Sequence, residues 1–191
     1  MKNKAVMRSI VIISILLLSV LCGFLFQVIC DSVDRATHPL EYSDFVEVYS
    51  YEYGVPEYII YSVIKAESDF ESGAVSEAGA IGLMQMMPDT FVWLTTELSE
   101  NLDSAMLYDP ETNIKYGTYY LKKLYLQFGT WDEVFAAYNA GPTNVEKWLA
   151  DDKYSSDGRT LDTIPFKETR DYVKRVNKAS EIYKNIIFYE N

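Results

Sequence analysis

The sequence predicts an all-α protein: a single helical domain carried behind one apolar N-terminal segment. Three observations lead there. Beyond residue 43 the apolar residues recur at helical spacing rather than at every second position. Proline and glycine punctuate that pattern where helices start and stop. No apolar–polar alternation lasts long enough for a sheet, and a short hairpin within 151–166 is the one β feature left open. The chain of 191 residues has room for one domain of ordinary size.

The first element is the apolar segment. Lys2, Lys4 and Arg8 precede an uncharged run from Ile10 to Ile29, long enough for a helix to cross a hydrocarbon layer of ~30 Å. Those charges all lie on one side of the run, which predicts an N-terminus inside and the remainder outside. The run exceeds the roughly 7–15 residues of a signal core, and "FQVICDSVD" offers no small-x-small cleavage site, so an uncleaved anchor is favoured over a cleaved signal. Cys22 and Cys30 follow Leu21 and Ile29, not the small residue that precedes a lipid-modified cysteine. Residues 1–30 therefore form the membrane segment. Residues 31–43, polar and aperiodic, form a linker, and residues 44–191 the domain.

Within the domain, a helix from Asp44 to Tyr53 stops at Gly54, and Pro56 sits in the first turn of the next, where its missing N–H costs nothing. "SGAVSEAGAIG" is a glycine-rich loop. Pro88 opens a helix through Leu98. Pro110 opens a longer one, with Ile114, Gly117, Leu121, Leu124 and Phe128 on one face and Gly129 as its stop. Another helix covers Trp131 to Tyr138. Thr143 with Glu146 reads as a capping box for a short helix through Leu149. Residues 151–166 are a loop, and Pro165 precedes a last helix to about Phe188.

Composition excludes several chemistries. Beyond residue 30 there is no cysteine, and His38 is the only histidine, so no disulfide, no zinc site, no other metal site and no cofactor is expected. The net charge is −11, and all 28 acidic residues lie beyond residue 30. That acidity argues against nucleic acid as a partner.

The chemistry begins at "IIYSVIKAESDF", residues 59–70. Ile59, Ile60, Val63 and Ile64 share one helical face, and the next place on that face is Glu67. By spacing alone, Glu67 either turns to solvent with Ser68 and Asp69 or points inward. An inward carboxyl must have a raised pKa or a partner, and no lysine or arginine stands out as that partner; carboxyls with raised pKa serve as general acids in glycosidic cleavage. The small residues after it would let a chain-like ligand approach backbone groups. "GLMQMMP" adds soft apolar surface with one amide, its methionines divided between core and cleft. Tyr138-Asn139 at a helix end would present a phenol and an amide to that cleft.

Four stretches carry a resemblance. "ES" at 67–68, "GLMQ" at 82–85, "AYNAG" at 137–141 and "ETRDYV" at 168–173 resemble, in order, the motifs of the soluble lytic transglycosylase family, whose catalytic domain is similar in fold to goose-type lysozyme. The resemblance implies a compact lysozyme-like domain from about Asp44 to Ile187. It makes Glu67 the single catalytic acid/base. It makes Ser76, Gln85, Met87, Tyr138, Asn139, Glu168 and Tyr172 substrate-binding residues. It implies peptidoglycan glycan strands as the partner, cut between N-acetylmuramic acid and N-acetylglucosamine with a 1,6-anhydro product, by an enzyme expected to be monomeric. The chain departs from the family at "DFES", where Glu71 and Ser72 replace a common Asn-Pro, and at Glu77, which replaces a frequent proline. A hydrolase using Glu71 or Glu77 as second carboxylate, and a glycan-binding module without turnover, are the alternatives.

Overall fold

In the computed structural model, residues 2–190 are described. They contain one long N-terminal helix and a separate helical unit from Leu40 onward. Helix α1 covers Lys2–Thr37. Its stretch Val6–Thr37 is long and apolar enough to cross a membrane. The linker expected over 31–43 is thus helical through Thr37, because Asp31–Thr37 holds no glycine or proline to stop the helix, and only residues 38–42 stand between α1 and α2.

The helical unit comprises α2 (Ser43–Tyr53), α3 (Glu57–Glu67), α4 (Pro88–Glu97), α5 (Pro110–Phe128), α6 (Trp131–Ala140), α7 (Pro142–Leu149) and α8 (Lys167–Glu190), with a 3₁₀ turn at Ser104–Tyr108 that the spacing did not reveal. Among the described residues there is no strand, only isolated bridges linking Val75 to Ile81 and Ile81 to Met86.

The helix ends follow the glycine and proline signals with small shifts. Gly54 and Gly129 close α2 and α5 in the left-handed region, at φ 68 and 83. Pro56 is the residue before α3 rather than within its first turn. Asp109 caps α5, its carboxylate accepting from the Thr112 N–H at 2.9 Å. The capping box at Thr143 does not form: Pro142 already occupies the first position of α7 and Gly141 precedes it, so Thr143 lies inside the helix. α6 runs two residues beyond Tyr138 for the same reason, ending only at Gly141.

Packing puts α3 at the centre, against α8, while α2 lies on α5 and α6 touches α5, α7 and α8. Ile59, Ile60, Val63 and Ile64 are at most 1% exposed, each contributing about 1.5–3 kcal/mol by leaving water. Tyr61 stacks on Tyr183 of α8 at 5.3 Å between centroids. A smaller cluster of Met86, Phe91, Leu94, Leu107 and Tyr116 fills the space under α4. The 151–166 segment has no hairpin. It is held instead by the buried Glu133 carboxylate, which accepts from the Leu161 N–H at 2.8 Å, and by Arg170, which donates to the Ile164 and Pro165 carbonyls at 2.6 and 2.9 Å.

Candidate active site

Glu67 is the last residue of α3, and the apolar face carries it inward rather than to solvent. Burial pushes its carboxyl up to about 7, against a smaller opposing pull from the Tyr172 phenol and the Arg175 guanidinium. Arg175 is the cation that spacing around Glu67 did not reveal. It stands three residues after Tyr172 on α8, 5.7 Å from the centre of the Tyr172 ring, so a helix distant in sequence supplies it. The Tyr172 hydroxyl is buried beside Glu67 without a well-aligned hydrogen bond, and its own pKa is raised by burial and by the nearby carboxylate.

The loop after Glu67 is built to a specific shape. Ser68 donates through Oγ to the Leu83 carbonyl at 2.8 Å, tying the end of α3 to "GLMQ". Asp69 and Phe70 reverse the chain at φ 51 and 67, and Phe70 tucks its ring into the core against Tyr61. The decisive residue is Asn113 of α5. Its carbonyl oxygen accepts from the Met84 N–H at 2.8 Å, and its amide donates to the Ile81 and Leu107 carbonyls at 2.9 and 2.8 Å. One buried amide thus satisfies three backbone groups of irregular chain. Gly82 and Gly117 admit this packing: a Cβ on Gly82 would lie 2.2 Å from the Asn113 amide nitrogen, and one on Gly117 2.4 Å from Met84 Sδ. Asn113 was not singled out in the sequence because an asparagine in the first turn of a helix carries no periodic signal.

The other expected site residues are placed as follows. Tyr138 does not offer its hydroxyl to a cleft. The phenol donates inward to the Met84 carbonyl at 2.8 Å, with Met86 Sδ at 3.2 Å, and only part of the ring is exposed. A buried hydroxyl needs a partner, and the loop carbonyl is the one within reach. Its raised pKa, from burial and then from Glu67, places it near the acid. Gln85, at φ 48, spends its amide hydrogens on the Ala74 and Gly82 carbonyls at 3.1 and 3.0 Å, shaping the loop. Ser76 is exposed, its Oγ accepting from the Ala80 N–H at 3.0 Å. Met87 is exposed just before α4, whereas Met84 and Met86 are core. Asn139 and Glu168 line one hollow of about 540 Å³ with Pro165 and Phe166. Glu71 and Glu77 are both exposed.

Glu67, Tyr138, Tyr172 and Arg175 therefore form one cluster, drawn from α3, α6 and α8 and floored by the 82–87 loop. A carboxyl poised near neutrality in such a place can give a proton and take one back. Among the described residues, no group of three or more His, Cys, Asp or Glu is arranged to hold a metal.

Known proteins are similar to this chain in sequence and fold. The soluble lytic murein transglycosylase of Escherichia coli K12 is 38% identical over 151 residues, 76% of this chain and 23% of that protein. The membrane-bound lytic murein transglycosylase C of Haemophilus ducreyi is 34% identical over 169 residues, 76% of this chain and 46% of that protein. The structure of an inactive mutant of the lytic transglycosylase Slt of Pseudomonas aeruginosa superposes with a TM-score of 0.72 at 34% identity, covering 78% of this chain and 25% of the other. The chain thus spans about a quarter of the soluble relatives it matches. The sequence pattern of the transglycosylase SLT domain matches residues 44–160, and the chain belongs to that family.

Proposed function

We propose that this chain is a peptidoglycan lytic transglycosylase, cleaving the β-1,4 bond between N-acetylmuramic acid and N-acetylglucosamine. Glu67 carries the reading: a carboxyl raised to about 7 at the inner end of α3, with a phenol and a guanidinium as the groups acting on it and no second carboxylate among them. Protonated Glu67 donates to the glycosidic oxygen as the bond from C1 breaks. The muramic 6-hydroxyl attacks C1, its proton passes to the Glu67 carboxylate, and the acid is restored with a 1,6-anhydro ring on the product. That hydroxyl is tethered to the sugar it attacks, which gives it an advantage over bulk water. A hydrolase instead needs a second carboxylate about 5–9.5 Å from the first, and Glu71 and Glu77 are both exposed. Gln85, Ser76, Met87, Tyr138, Asn139, Tyr172 and Glu168 shape the sugar-binding cleft in this reading. Mass spectrometry of muropeptides released by the purified chain is expected to show species one water lighter than hydrolytic products. Predominance of reducing-end muramic acid would make the enzyme a lysozyme.

The domain works as a monomer outside the membrane in which α1 is anchored. Lys2, Lys4 and Arg8 at one end of α1 support that orientation, and a membrane-bound protein among the relatives supports the membrane attachment. Protease added outside protoplasts should digest residues 38–191, and full protection of that segment would reverse the topology.

A further inference from the structure

Trp93, on α4, is a large aromatic residue left 45% exposed. Single exposed hydrophobics are ordinary on protein surfaces, but this one stands in a concave setting. A hollow of about 370 Å³ is lined by Trp93, Tyr120, Lys123, Leu126, Gln127 and Pro142. Its location is set by a row of rings. Trp93 meets Tyr120 edge-on at 6.4 Å between centroids, and Tyr120 meets Tyr138 at 5.4 Å. Tyr138 in turn bonds the loop beside Glu67. Pro142, on the hollow's rim, follows directly on the Asn139-Ala140-Gly141 stretch. The hollow therefore lies beside residues of the candidate active site, Tyr120 on its wall packing against Tyr138.

We propose that Trp93, with Tyr120 and Lys123, forms an outlying subsite for an N-acetylhexosamine of the same glycan strand whose cleavage takes place at Glu67. The inference rests on the proposed function and extends it to a residue outside the four motifs. The chemistry of the hollow selects the ligand. The indole offers a flat apolar surface for the C–H face of a sugar ring, and few polar groups surround it. Lys123 Nζ lies 4.9 Å from the indole centre and 2.6 Å from a Glu97 carboxylate oxygen. Its charge is thus neutralised in place, while its other N–H groups can donate to hydroxyl or acetamido oxygens. A neutral sugar fits this better than the carboxylates of a stem peptide, for which an unpaired cation would be required. Gln127, at the edge, is held by donating to Glu146 at 2.7 Å. The subsite would lengthen the grip on the strand without touching the reacting bond.

The test is binding of the hexamer of N-acetylglucosamine by the full chain carrying Glu67→Gln, followed by calorimetry. Adding Trp93→Ala is expected to weaken hexamer affinity about tenfold, the loss typical of an aromatic anchor. Val92→Ala, at the exposed neighbour, should leave it unchanged. Hexamer should also quench tryptophan emission, and Trp93→Phe, which keeps a ring in place, should abolish that quench. An affinity within twofold of the parent after Trp93→Ala, or no measurable hexamer binding by a chain whose Glu67 form releases anhydromuropeptides, overturns the subsite and leaves the proposed function standing. A chain that neither binds hexamer nor releases muropeptides overturns both.

Discussion

Glu67→Gln is expected to lose cleavage of peptidoglycan by roughly 10²–10⁴-fold or more, the range general acid–base catalysis supplies. The amide keeps the shape of the side chain but can neither give the glycosidic oxygen its proton nor recover one from the attacking hydroxyl. The same substitution should stabilise the fold, and the pH dependence of that gain is diagnostic. The folded-state pKa of Glu67 is about 7, above the 4.5 of an ordinary glutamate. Between those values the folded protein holds a proton the unfolded chain has released, so stability falls as pH rises. The penalty is fully present above about 7 and absent below about 4.5. The glutamine variant should therefore melt higher than the parent at pH 8 and match it at pH 4. Turnover by the parent should decline as pH rises past 7, where the acid is lost. A correctly folded variant with near-native turnover, or a melting difference equal at both pH values, would remove Glu67 from the role assigned to it.

Gly82→Ala should destabilise the domain by about 3 kcal/mol and cost most of the activity. Gly82 sits at φ 81, where an L side chain costs about 1–2 kcal/mol. Its new Cβ would lie 2.4 Å from the Leu107 carbonyl oxygen as well as against Asn113. Backbone cannot swing aside as a flexible side chain can, so overpacking adds a comparable amount. Relief requires Asn113 or the loop to move, which breaks the bonds to Met84, Ile81 and Leu107 that floor the site. Gly73→Ala is the control. That glycine lies in the same loop, with nothing within 4 Å of an added Cβ and no positive φ, and should change stability by no more than about 0.5 kcal/mol. Urea unfolding followed by circular dichroism measures both. Equal midpoints for the two variants would show that the loop tolerates a side chain at Gly82.

The helical class, the glycine and proline stops and the apolar stripe of α3 were legible from residue types, because each depends on neighbours within a few positions. The stripe brought Glu67 to the end of the buried face, but spacing left open whether it turned inward or to solvent, and burial in the fold turned it inward. Where neighbouring signals competed, local reading failed. Thr143 looked like a cap, but Pro142 one residue earlier fits the first helical position better and carried the helix start past it. The polar stretch 31–37 looked like a tether, yet nothing in it stops a helix that is already running.

By itself the sequence determined that an acid would stand at the end of an apolar helical face, followed by a loop of small residues, in an all-helical domain behind an apolar helix. Only the tertiary structure decided what that acid would meet. Tyr138, Tyr172 and Arg175 come from α6 and α8, 71 or more positions along the chain, and Asn113 shapes the loop from α5. No spacing rule links residues so far apart. Their meeting depends on how the helices pack, and the direction of the Tyr138 hydroxyl depends on which carbonyl that packing leaves within reach of it.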